Sequence, residues 1–226
     1  MRVGEALTWF LPAPAPVFPP AARAYRIERR IDSAGVALTF DDGPHPAGTP
    51  AVLEALAGAG VSATFFLVGE QVERDPALAG EIAAAGHEIA LHGFRHTLLL
   101  RRAPCELADD LARATAAIED ATGRTLGWYR PPYGVFSSSG LRIVRGLGLR
   151  PLLWSTWGRD WERRATPESI ARRATRGLSA GDVVLLHDAD HYSVRGSWTR
   201  TAAALPRVLE AADRLGLAWV TLERRA

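Results

Sequence analysis

Along the chain, short, mainly apolar strand-like runs alternate with segments whose apolar positions recur at helical spacing. The runs cover 36–40, 63–68, 88–92, 126–130, 151–156, 182–187 and 217–222. The helical segments lie near 50–58, 75–85, 104–121, 138–147, 167–177 and 200–215. Thr49-Pro50 and Thr166-Pro167 each read as a capping residue followed by proline at the first helical position, and Glu168 adds a first-turn acid. Gly60, Gly86, Gly123, Gly148 and Gly216 stand where helices should stop. Strands that are apolar throughout, rather than at every second position, are buried on both faces. Their alternation with helices predicts an α/β fold, a parallel sheet closed or nearly closed into a barrel, with an open doubly wound sheet as the alternative. No glycine-rich phosphate loop follows any strand, which argues against nucleotide binding. In such a barrel, chemistry gathers at the carboxyl ends of the strands.

Composition narrows the partners. The 226 residues suit one large domain, read here as a proline-rich lead-in over 1–34 that packs on a catalytic domain over 35–226. All 27 basic residues are arginine, they are scattered, and acids nearly balance them to a net +2, so nucleic acid is not expected despite a pI near 9.1. The single Cys105 can form no disulfide within the chain and reads as a packed or idle thiol. No apolar run reaches the roughly 20 residues of a membrane span. The apolar stretch Ala6 to Phe18 is broken by Pro12, Pro14 and Pro16, and no clean cleavage site follows it. The expectation is therefore a monomer at the cytoplasm or the inner face of the membrane, with at most peripheral lipid contact, and a secreted or envelope location as the alternative.

The polar residues fall where the barrel rule wants them. Asp41 and Asp42 end the first strand, His92 and His96 follow the third, Arg130 and Tyr133 the fourth, Asp160 and Trp161 the fifth, and His187 and Asp188 end the sixth. Strand alternation would point Asp41 and Asp42 to opposite sides, one for a metal and one for protons. The spacing of His92 and His96 places both rings on one face of a helical turn. Two histidines and a carboxylate with open positions suit a divalent metal: zinc first, with cobalt, nickel or manganese as alternatives. A His-Glu-x-x-His protease motif is excluded, and His87, at a strand start, reads as structural.

Thr39–Pro44, His92–His96, Arg130–Gly134, Asp160-Trp161 and Leu185–Asp188 resemble, in order, the five motifs of the polysaccharide deacetylase family. This is the NodB-homology group, or carbohydrate esterase family 4, and the resemblance runs from about residue 35 to 222. It implies a distorted (β/α)7 barrel. It also implies metal-dependent removal of N-acetyl groups from N-acetylated sugars, such as chitin-type or peptidoglycan glycan. By resemblance Asp41 is the general base, Asp42, His92 and His96 hold the metal, and Arg130 orients and charge-pairs the base. His187 is the general acid tuned by Asp160. Tyr133 offers a backbone N–H to the oxyanion. Pro131, Trp161 and Leu185 shape the substrate side, Leu185 lining the acetyl pocket. A lipid-linked or small amino-sugar losing acetyl or formyl, O-deacetylation of xylan, and a silent sugar-binding barrel stay open as alternatives.

Two positions depart from the family pattern. Trp157 replaces the first Asp of the usual Asp-x-x-Asp-Trp, and Gly93 stands where Ser or Thr is usual. Trp154, Trp157, Trp161 and Trp198 could form a stacking platform or simply fill the core. The polar segment Asp188 to Trp198, with Asp190 and His191, is expected to loop over the groove.

Overall fold

A computed structural model describes residues 10–222. Its sheet runs through β1 (Val36–Asp41), β2 (Thr64–Leu67), β3 (Glu88–Leu91), β4 (Trp128–Tyr129), β5 (Arg150–Pro151), β6 (Thr156–Trp157), β7 (Val183–His187) and β8 (Trp219–Val220). Every pairing is parallel, in the spatial order β5-β4-β3-β2-β1-β7-β6, and β8 adds to β1. Val36 donates to Ala218 and Ala37 to Asp182, so β8 lies on the side of β1 opposite β7, below the start of β2.

The sequence segment 151–156 resolves into two strands at opposite edges of the sheet. Leu152 donates to Tyr129 next to β4, and Ser155 donates to Val183 on β7. One extended stretch thus changes partners midway and bridges the two edges, closing a distorted barrel. Hydrophobic period alone cannot register such a change of partner. Residues at the foot of the lead-in help seal the join: Leu153 donates to Glu28, and Arg29 reaches the carbonyls of Trp154 and Ala15.

Eight α-helices are seen among the described residues: α1 (Pro19–Ala24), α2 (Gly48–Ala59), α3 (Gly69–Arg74), α4 (Pro76–Ala84), α5 (Pro104–Thr122), α6 (Ser138–Gly146), α7 (Pro167–Ala174) and α8 (Ser197–Arg214). Thr166 caps α7 as expected, its hydroxyl accepting from Ser169 N–H. Thr49 does not cap α2. That helix starts two residues earlier, at Gly48 after Ala47, and the Thr49 hydroxyl instead donates to the buried Asp188 and accepts from His45 N–H. α1 and α3 were missed because six residues are too few to display a helical period. Cys105 is exposed on α5. The core lies between strands and helices, with β1 wholly buried and Phe40 stacked on Phe65 at 5.1 Å. Among the described residues no helix is long and apolar enough to cross a membrane. Positions 6–9 of the apolar N-terminal stretch lie outside them.

Candidate active site

Asp41 is the last residue of β1, and Asp42 follows with a left-handed φ of 80°. That turn overrides the strand alternation. Both carboxylates face the same imidazole, His92 Nε2 lying 3.9 Å from Asp41 Oδ2 and 3.4 Å from Asp42 Oδ1. His92 and His96 do not share a helical turn either. They sit in an irregular loop after β3, shaped by Gly93 at φ 95°. The Gly93 and Phe94 carbonyls accept from Gly69 and Glu70, and Phe94 N–H donates to Asp110. A hydroxyl-bearing residue at 93 would be strained at that φ, which accounts for glycine there.

The loop nonetheless brings His96 Nε2 to 3.3 Å from Asp42 Oδ1. Asp42, His92 and His96 form one cluster whose ligand atoms all lie within 4.8 Å of one another. The donor chemistry fits a divalent cation. His92 Nδ1–H donates to the Arg130 carbonyl at 2.8 Å, which leaves the Nε2 lone pair facing the cluster. Asp42 Oδ1 is buried without a hydrogen-bond partner among the described residues. Burial would raise the Asp42 carboxyl, but His92 and His96 hold it well below the usual carboxylate range.

Two charge pairs flank the cluster. Arg130, fully buried, donates from Nη1 to Asp41 Oδ1 at 2.6 Å and to Thr39 Oγ1 at 2.9 Å, and from Nη2 to the Leu153 carbonyl at 3.1 Å. Its guanidinium lies over the Phe66 ring at 4.0 Å. His187 Nδ1–H donates to Asp160 Oδ1 at 2.9 Å, and His187 N–H to Asp160 Oδ2 at 2.7 Å. The Thr201 hydroxyl also donates to Oδ2, at 2.8 Å. Burial alone would depress the His187 imidazole; Asp160 outweighs it, helped by Asp42 and Asp41, and pushes the pKa up to about 10.

These groups open into a groove of about 650 Å³ lined by Asp41, Asp42, His92, His96 and His187, with Tyr133, Trp161 and Leu185 on its walls. Trp154, Trp157 and Trp161 form an aromatic row at ring spacings of 5.3 and 5.4 Å, and Trp161 meets His187 edge-on at 5.2 Å. Trp198 is not in that row; it packs near His45 at 5.9 Å. Pro131 does not line the groove, but its carbonyl accepts from Gly134 and so shapes the Tyr133 turn. Tyr133 adopts φ 60° in that turn. Gly134 follows at φ 69°, and a Cβ there would lie 2.5 Å from Trp154 Cη2. Gly134→Ala is therefore expected to destabilise the fold by about 1–3 kcal/mol. A thermal melt should drop by roughly 2–4 °C per kcal/mol; an unchanged Tm would contradict the close packing.

Several contributors went unread in the sequence. Thr39 and Thr201 hold Arg130 and Asp160, Tyr192 stacks on His96, and Ala13, Pro16 and Val17 of the lead-in line the groove. Only Thr39 carried a signal, since it faces the same side as Asp41 on β1. Within the 188–198 loop, Asp190 pairs with His45 at 3.1 Å and His191 donates to the Pro44 carbonyl at 3.2 Å. Both pin the loop rather than line the groove. Asp188 is buried beneath it, and burial lifts its carboxyl to about 7 against the Thr49 hydrogen bond. His87 is structural as expected, its Nδ1 accepting from Ala63 N–H.

A parallel barrel that collects an ionisable cluster and two buried charge pairs at its strand ends has the organisation of a hydrolase. Residues 29–152 match the family model described as polysaccharide deacetylase, and the chain belongs to that family. It is a carbon–nitrogen hydrolase of the deacetylase type. The chain is 36% identical over 194 residues to a chitooligosaccharide deacetylase of Azorhizobium caulinodans, an alignment covering 83% of this chain and 92% of that one. It is 33% identical to a peptidoglycan-N-acetylglucosamine deacetylase of Bacillus cereus, over 83% and 85%. Among solved structures, the Bc1960 peptidoglycan N-acetylglucosamine deacetylase superposes with a TM-score of 0.80 at 28% identity, over 87% of this chain and 89% of that one.

Proposed function

We propose that the protein removes N-acetyl groups from N-acetylglucosamine residues of an oligo- or polysaccharide, with zinc as the resident metal. The observation that carries this reading is the opening of the triad, the Asp41–Arg130 pair and the His187–Asp160 pair into one groove. The similarity to enzymes named for chitooligosaccharide and peptidoglycan supports the substrate class. When bound by Asp42, His92 and His96, zinc would supply acidification of a water, to a pKa of about 7, and polarisation of the acetyl carbonyl.

The chain's own groups do the rest. Asp41, paired with Arg130, accepts the proton of the attacking water. The Tyr133 N–H, on the groove wall, donates to the oxyanion of the tetrahedral intermediate, a contribution of roughly 3 kcal/mol for one such donor. The amine leaves only once protonated, and His187 supplies that proton. Asp160 keeps the imidazole charged and fixes its ring. Leu185 borders the acetyl methyl, and the Trp154–Trp157–Trp161 row offers sugar rings a stacking face.

The test is acetate release from N-acetylglucosamine oligomers and from peptidoglycan glycan. Chelation should abolish release, and zinc or cobalt should restore it. Full activity in the chelated, metal-free protein would sink the reading.

A further inference from the structure

We infer that Tyr192 is the positioning residue for His96, holding by ring stacking a metal ligand whose outer nitrogen no described residue hydrogen-bonds. The inference rests on the metal reading above. A histidine that binds a metal through one ring nitrogen ordinarily donates its other N–H to a carbonyl, carboxylate or water, which fixes the ring's rotation. His92 follows that rule through Arg130. His96 does not: its Nδ1 is buried and has no hydrogen-bond partner among the described residues. Rotation of that ring is restrained by its neighbours instead. Tyr192 lies parallel to it, with centroids 4.2 Å apart and planes 8° apart, and Tyr133 meets it edge-on at 4.7 Å.

Tyr192 is itself fixed at its far end. Its hydroxyl donates to Glu70 Oε1 at 2.7 Å and accepts from Gln71 Nε2 at 2.8 Å, both on α3. α3 is in turn tied to the histidine loop, because Gly69 and Glu70 donate to the Gly93 and Phe94 carbonyls. The stacking residue and the stacked ligand therefore share one support. Tyr192 is also part of the 188–198 loop and lines the groove, so the stack joins the metal ligand to the segment that borders the substrate.

The probe is cobalt(II) alone, added to the metal-free full-length protein. Affinity is read by chelator competition and ligand geometry by the visible absorption of the bound ion. Tyr192→Leu should weaken cobalt binding about tenfold, the lower end of what outer partners of metal ligands contribute, and should alter the absorption band. Tyr192→Phe keeps the ring and loses both tethers, so it should weaken binding by a smaller factor, about threefold. The metal-free Tm, measured alongside, separates a general loss of structure from a misplaced ligand. Wild-type affinity and spectrum in a folded Tyr192→Leu would overturn the inference. If that variant does not fold, wild-type affinity and spectrum in Tyr192→Met, which also removes the ring, would overturn it instead. Failure of the wild-type protein to bind cobalt would overturn the metal reading itself, a different result.

Discussion

Asp41→Asn and Asp42→Ala, one residue apart, are expected to fail in different ways. Asp41→Asn should keep its metal and lose acetate release by about 10²–10⁴-fold, the usual contribution of a positioned proton acceptor. Asp42→Ala should lose activity because it loses metal. A direct ligand should matter more than the roughly 10–100-fold in affinity that outer partners contribute. The difference follows from what each carboxylate touches. Asp42 Oδ1 faces both His92 and His96 and has no hydrogen-bond partner among the described residues, whereas Asp41 Oδ1 is already taken by Arg130 at 2.6 Å. Asp41→Asn has a second consequence. It leaves the fully buried Arg130 without its counter-charge, and breaking a buried pair typically costs about 3–5 kcal/mol. The amide oxygen can still accept from Nη1, so the lower figure is expected. Metal content, acetate release and Tm of the two variants give the separation. Equal metal loss in both would mean that the two carboxylates are not divided between metal and proton.

How far the sequence foretold this site depends on the kind of information each feature carries. β1, β3 and β7 were legible because mainly apolar runs report burial on both faces, and the chemistry sits at their ends. The five motifs supplied side chains that the structure brings together around one groove. What they could not supply was backbone direction. A run of apolar residues does not reveal that 150–157 switches sheet edges, nor that Asp42 turns left-handed and brings its carboxylate beside Asp41. The His92–His96 spacing suggested a helical turn, yet an irregular loop meets the same geometric demand through Gly93. Contacts between distant segments left even less trace. Nothing near Tyr192 in sequence announces His96, and nothing in the proline-rich lead-in announces that Ala13, Pro16 and Val17 border the groove. Position-specific chemistry is written locally; the walls around it are assembled from elsewhere in the chain.

Asp160→Asn is expected to move the alkaline side of the pH–rate profile further than any other single change. In the metal-free protein His187 titrates at about 10, because Asp160, with Asp42 and Asp41, overcomes a burial effect of opposite sign. A raised imidazole is protonated below that pH, so the acid form is available throughout the neutral range and is lost as pH rises through its pKa. A divalent cation held by Asp42, His92 and His96 would repel the imidazolium and bring the value down, which would place the alkaline limb of the loaded enzyme below 10. Asp160→Asn removes the strongest raising influence and leaves only Asp42 and Asp41 to oppose burial. The imidazole pKa then falls, and the acid form becomes scarcer towards alkaline pH. Activity near pH 8 should drop by about 100-fold or more, within the range typical of acid–base assistance, and part of it should return as the pH is lowered. Thr201→Val is the control: it removes one hydrogen bond from Asp160 Oδ2 but no charge, so the limb should stay in place. If both variants shift the limb equally, Asp160 acts by orienting the ring. If neither does, His187 is not the group whose proton reaches the amine.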